Sequence, residues 1–433
     1  MSTGADVVAH LLRRAGFGAE EPDLVAFCAL DLAEGIDRLF DRSAEPPDVM
    51  PATLLNPNEN HWTQWALCVQ EWLERMAVTP TPLVEKMTMF WHGHFVSGID
   101  KVGSMGAMWQ QIATYRRLCF GNLKDLARAM AVEPAMLRYL DNDVSRAGTP
   151  NLNFARELFE LFLLGVGNYT EHDIAESARA WTGHTIDAAT GAYTFRADWH
   201  DDGDKTIFGV TRNFDGTDVI DLVFSLPATR RACARFIVGE LWAYLAHPSP
   251  PAALIDELAG VFLDADFEIV PLLRAILLHP AFLADHARDG LVRSPVEWCV
   301  ALRRATGVPF AESHPEWWLG AMGQLPYSPP DVSGWRSNEY WLSTTAAAAR
   351  ADYAAHVAWK ARGAGTLMET LGMTAPAAVE VALERFGVSG ASTVTKNAIG
   401  TWLVAQRSVP WTGWNQVQGI MVLAALSPEM QLA

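Results

Sequence analysis

Two histidines separated by one glycine, in Phe90-Trp91-His92-Gly93-His94-Phe95, are the first residues whose types and spacing suit chemistry. Paired imidazoles ligate a metal when the chain bends to bring them together, and Gly93 permits such a bend. Two ligands do not make a site, however, and histidines among aromatic rings also serve as core hydrogen-bonding groups. Further donors lie in the run Asn153–Gly165, where Asn153, Arg156, Glu157 and Glu160 are spaced i, i+3, i+4 and i+7 on one helix face. Leu158, Phe159, Leu161, Phe162 and Leu164 cover the other face, and Gly165 supplies the stop. The polar stripe either faces solvent with an internal ion pair or is enclosed, where its carboxylates need Arg156 or a metal.

Two more segments follow. In Tyr169–His184, Thr170 and Asp173 have the spacing of a helix N-cap with its capping carboxylate, and Glu176 stands one turn from Arg179. In Trp199–Thr206, the run His200-Asp201-Asp202-Gly203-Asp204-Lys205 is either a solvated turn or a source of metal ligands and a base. The candidate metal ligands are thus His92, His94, Glu157, Glu160 and His200, and the candidate catalytic groups are Arg156, Glu157, Glu160, Glu176 and Lys205. A mixed His/carboxylate shell suits iron, manganese or zinc, which points to a metal-dependent hydrolase or oxygenase. Arg156 and Lys205 would hold an anionic group of a small-molecule or glycan substrate. The Glu-x-x-His pair of carboxylate-bridged bundles is absent, and no nucleotide-binding motif is present.

The elements that must position these residues are mostly helical. Apolar residues recur at three- and four-residue spacing over 6–16, 22–41, 61–77, 82–94, 105–119, 122–131, 151–164 and 171–182. The same pattern returns over 217–225, 228–246, 251–263, 267–278, 294–305, 345–361, 376–386, 393–405 and 416–426. Strand-like alternation is confined to Ala192–Arg196, so the expected fold is a large multi-helix body with a short hairpin and irregular insertion near 184–216. Residues 43–60 look like a surface loop. Residues 308–344, rich in Pro and Gly, read as a functional loop that could dock a protein partner. One family-length domain over 1–433 is expected, with a weak boundary near 361–376.

Bulk composition narrows the function. With 33 basic and 50 acidic residues the net charge is −17, which disfavours nucleic acid and anionic membranes. No apolar run is long enough to span a bilayer. Five scattered cysteines without a CxxC pair read as buried free thiols in a reducing compartment. No signal peptide is visible, so a cytoplasmic location is expected.

Several segments together resemble one known family. They are Leu11–Gly18, Phe90–Phe95, Asn153–Gly165, Tyr169–Glu171 with Ala178–Gly183, His200-Asp201 with Lys205 and Gly209, Ser294–Glu297, Pro329–Trp335 and Leu426–Gln431. In this order they resemble the bacterial family known as domain of unknown function 1800. The resemblance implies one continuous unit and imports no mechanism. Many members of that family look exported, whereas this chain begins almost at the first motif. Three readings follow: an enzyme with a His/carboxylate site in a helical scaffold, a non-catalytic binding or assembly protein whose polar cluster fixes its packing, or a metal-independent acid/base enzyme acting on a carbohydrate through paired carboxylates.

Overall fold

The computed structural model describes residues 4–55, 59–288, 290–388, 390–409 and 413–433. Residues 56–58 of the expected 43–60 loop lie outside this set. The described chain is mostly helical, with two small two-stranded sheets, as its periodicity predicts. One cluster of buried apolar side chains runs from Leu11 to Met430. No helix among the described residues is long and apolar enough to cross a membrane. All five cysteines are free, and four of them are buried.

Helix ends follow local chemistry. The predicted 22–41 helix is two helices, Glu21–Cys28 and Leu32–Leu39, because Asp31 caps the second through a reciprocal bond with Glu34. Thr170 and Asp173 form the expected capping box at the start of Glu171–Ala180. Ser294 and Glu297 form another at the start of Pro295–Thr306. The Asn153 run begins as the helix Leu152–Glu157 and widens into a π-helix over Leu158–Leu163, ending at Gly165 in the left-handed conformation. The 184–216 insertion holds two hairpins rather than one. β1 (His184–Ile186) pairs with β2 (Tyr193–Phe195), and β3 (Lys205–Ile207) pairs with β4 (Val210–Arg212). Within 308–344 the chain forms the short helices Phe310–Ser313 and Glu316–Met322 before an irregular strap.

The helix Pro82–His94 is the axis of the molecule. Every residue from Leu83 to His92 is buried, as is His94, and a charge in such a helix is costly unless it is paired. Glu85 accepts from Trp72 Nε1 at 2.9 Å and pairs with Arg116 at 2.7 Å and Arg75 at 2.6 Å. Lys86 pairs with Glu297 and also donates to the Gly16 carbonyl.

Candidate functional site

The helix runs unbroken through His92-Gly93-His94, so the expected bend at Gly93 is absent. Residues i and i+2 of a helix point to opposite sides, and the two histidines part accordingly. His92 packs among Trp72, Tyr115, Tyr327 and Trp335. Its Nε2 accepts the Tyr327 N–H at 3.0 Å, which puts the ring proton on Nδ1. His94 packs among Phe90, Phe95, Phe162 and Phe236, and its Nε2 donates to the Phe162 carbonyl at 2.9 Å. That bond leaves Nδ1 as the acceptor of the neutral ring. Burial lowers His92 to about 3 and His94 to about 4.

The remaining expected residues lie on the helix Leu152–Glu157 and its π-helical continuation, on the helix Glu171–Ala180 and in the insertion after it. Arg156 makes a two-pronged pair with Glu171 at 2.7 and 2.8 Å, on the surface. Glu160 accepts from the Tyr169 hydroxyl. Glu176 pairs with Arg179 at 3.0 Å and accepts the Thr206 N–H at 2.9 Å. Arg179 also grips Asp201 at 2.8 Å. Lys205, wholly buried, donates to the Asp201 carbonyl and to Asn213 Oδ1 at 2.9 Å. His200 Nδ1 lies 2.8 Å from the Thr182 carbonyl. Glu157 is half-buried, and desolvation followed by the nearby Glu160 raises its carboxyl above the usual range. Among the described residues no three His, Cys, Asp or Glu side chains form a group that could hold a metal ion. His92, His94, Glu157, Glu160 and His200 are therefore not gathered into one shell.

A different set converges on a cleft of about 180 Å³ between the Pro82 helix and the helix Pro227–Leu245. Lys86, Phe90, Gly93 and His94 form one wall, and Glu240 and Tyr244 the other. Phe236, Glu240 and Tyr244 are spaced i, i+4 and i+8, so they share a stripe. Phe236 meets His94 with ring centres 5.9 Å apart, and Tyr244 meets Phe90 at 5.2 Å while its hydroxyl donates to the Lys86 carbonyl at 3.1 Å. Glu240 is thereby set between these contacts, facing the same wall. Solvent reaches it through the cleft, yet desolvation by the surrounding protein raises its carboxyl above the ordinary range. No charged neighbour contributes to that shift.

The floor is the start of the Pro295 helix, where Ser294 and Glu297 meet Lys86 and Arg14. The rim is the strap 324–341. Its Tyr327 is held by His92 through N–H and by the Ile99 N–H through its carbonyl, the latter at 2.8 Å. At Gly334 (φ +80°) a Cβ would come within 2.5 Å of the Gly93 carbonyl. This is why the strap can press Trp335 against the helix. His92 thus positions the strap and His94 lines the cleft.

Sequence reasoning reached His94 but missed Lys86, Glu240, Gln324 and Asn338. The adjacent Glu85 and Lys86 inside a largely apolar helix and the Phe236/Glu240/Tyr244 stripe were the signals available. Five of the segments that carry the family resemblance meet at this cleft: Leu11–Gly18, Phe90–Phe95, Ser294–Glu297 and Pro329–Trp335 contribute to its lining. Gln431, in the fifth, accepts from Arg293 N–H at 2.7 Å just behind it. The sequence profile of the family described as Protein of unknown function (DUF1800) matches residues 10–432. The chain belongs to that family. No curated protein and no solved structure matches it.

Proposed function

We propose that this DUF1800 member is an enzyme whose working site is the cleft between the Pro82 and Pro227 helices, with acid/base chemistry on a small polar molecule. One observation carries the reading: Glu240 is a carboxyl without an ion-pair partner among the described residues, open to the cleft and raised by desolvation. A carboxyl raised above its ordinary range holds its proton more firmly than a free one and can pass it to a molecule bound in the cleft. His94, fixed as the neutral tautomer with Nδ1 as acceptor, is the complementary group. Lys86 and Glu297 supply a fixed charge pair at the floor.

The reading is tested by assaying purified protein against panels of esters, phosphoesters, glycosides and amides, with and without added iron, manganese or zinc. Turnover should vanish in Glu240→Gln and survive in Glu157→Gln and Arg156→Ala. Turnover that survives Glu240→Gln but fails in Glu157→Gln would return the site to the π-helix stripe. Loss of metal and turnover together on His94→Ala would favour a metal enzyme.

A non-catalytic binding protein is the second reading, and one observation favours it. Arg156, Glu160, Glu176 and Lys205 all engage neighbouring groups, as a packing network would. In that case the exposed Trp317, stacked on His314 with centres 5.4 Å apart, is the place for a partner to dock. Absence of turnover across the panels, with and without metal, would decide for it.

A further inference from the structure

Two carboxamides at the cleft are oriented by the backbone. Gln324 Oε1 accepts the Val296 N–H at 3.1 Å, and Asn338 Oδ1 accepts the Val292 N–H at 3.1 Å. Each bond fixes which end of the amide is oxygen and turns the NH₂ the other way. Both side chains are more than nine-tenths buried and both line the cleft. Among the described residues neither NH₂ has a hydrogen-bond partner, and neither is sealed from solvent. Asn338 is held in the left-handed conformation (φ 57°), a strained placement that asparagine tolerates and that recurs at ligand clamps.

Charge behind the floor points the same way. Lys86, Arg293 and Arg350 are all buried, and each feels the carboxylate of Glu297. Lys86 takes that carboxylate as its partner. Arg293 instead reaches Met430 Sδ at 3.0 Å, and Arg350 reaches Gln431 Oε1 and the Arg293 carbonyl. Those are neutral acceptors, so of the three only Lys86 has a carboxylate as its direct partner. Burial lowers both guanidiniums to about 10, the direction expected when positive charge lacks compensation.

We propose that the cleft takes its ligand by an oxyanion, carboxylate or phosphate, seated between the Gln324 and Asn338 amides and above the Lys86–Glu297 pair. This rests on the reading of the cleft as the working site. The oxyanion end lies at the floor and strap, and the rest of the molecule extends along the wall toward Glu240 and His94. The ligand class is a small organic acid or a phosphate ester with a proton to exchange near its middle. The donors present match an anion of two or three oxygens: two amide NH₂ groups and a cationic field.

The experiment titrates the full chain with inorganic phosphate, with acetate and malonate, and with glycerol as a neutral control. Thermal denaturation and the fluorescence of Trp335 and Trp341, which line the cleft, report binding. One oxyanion series should bind saturably, raise the melting temperature and weaken with added chloride, while glycerol does nothing. Which series binds separates phosphate from carboxylate. Gln324→Glu and Asn338→Asp keep the oxygen that accepts the backbone N–H and replace the donor by negative charge. Each should weaken binding at least tenfold while the unliganded protein melts as before. Saturable binding of neither series overturns the proposal, as does binding unchanged in the Gln324→Glu/Asn338→Asp double variant. Glu240→Gln should still bind the anion. If it binds and also turns over substrate, the acid/base reading fails while the oxyanion site stands.

Discussion

The molecule contains two polar regions, joined through the His94–Phe162 hydrogen bond, and their charged groups are partnered differently. Around the π-helix and the β3–β4 hairpin, charges meet charges or fixed acceptors: Arg156 with Glu171, Arg179 with Glu176 and Asp201, Lys205 with Asn213. In the cleft the account is left open. Among the described residues Glu240 has no charged partner, two amide NH₂ groups have no hydrogen-bond partner, and two arginines rest on neutral acceptors. A satisfied network specifies packing, whereas an unsatisfied one specifies something still to arrive. On the proposed reading, what marks the working site is the openness of the cleft rather than the density of charge in the sequence.

The comparison can be broken most sharply at Lys86. Lys86→Met leaves Glu297 buried without its cation and should cost about 3–5 kcal/mol in urea denaturation. The double variant Lys86→Met/Glu297→Gln should recover most of that loss. A double variant as unstable as the single would show that the pair is not what the floor depends on. Gly334→Ala comes next: with its Cβ against the Gly93 carbonyl and a left-handed φ, it should cost about 2 kcal/mol. It should also move Trp335 fluorescence to the red. An equal cost with unchanged fluorescence would mean the strap had not lifted.

Two pH effects of opposite sign follow. His92 and His94 titrate in the fold near 3 and 4 and near 6.5 when unfolded, so below pH 6.5 the unfolded chain binds more protons. Their contribution is complete above pH 6.5 and is lost as pH falls through 4 and then 3, at about 1.4 kcal/mol per histidine per pH unit. His92→Gln, which can still accept from Tyr327, should lessen that acid sensitivity. Glu240 behaves in reverse. Its raised carboxyl makes the folded protein hold a proton that the unfolded chain has released, so stability falls as pH rises through the ordinary carboxylate range toward its folded value. Glu240→Gln should remove that fall and leave the protein at least as stable at neutral pH; a less stable variant would mean Glu240 has a structural partner. The smallest effect belongs to Arg156→Ala, whose exposed pair should leave the melting temperature unchanged within error.

Much of the helical body was legible because amphipathic periodicity and caps act locally. Pro82 at the start of an apolar run, Thr170 before Asp173, and Gly165 after Leu164 each announced an element boundary that the fold keeps. The β3–β4 hairpin was not legible, because its turn places Phe208 at φ 48° beside Gly209 at φ 77°, and nothing about a phenylalanine signals a left-handed turn. Of the candidate site, His94 was found from its motif. Its neighbours in the cleft come from helices far along the chain, and Glu240 sits in a segment with no motif at all. The His-x-His spacing misled for a simple reason. Read as a bent strand the two rings converge; on a helix they turn their backs on one another.

The π-helix has a consequence at a scale smaller than packing. Its widened turns let both Leu164 N–H and Gly165 N–H close on the Phe159 carbonyl, and Phe162, near the end, keeps a carbonyl that no later turn claims. His94 takes it. One surplus residue in the winding of one helix therefore decides which nitrogen of a neighbouring imidazole bears hydrogen and which offers a lone pair to the cleft. A single-residue deletion between Leu158 and Leu163 would restore ordinary winding and swing that carbonyl away. The location of one proton is written here in the count of residues along a backbone, with no acidic side chain involved.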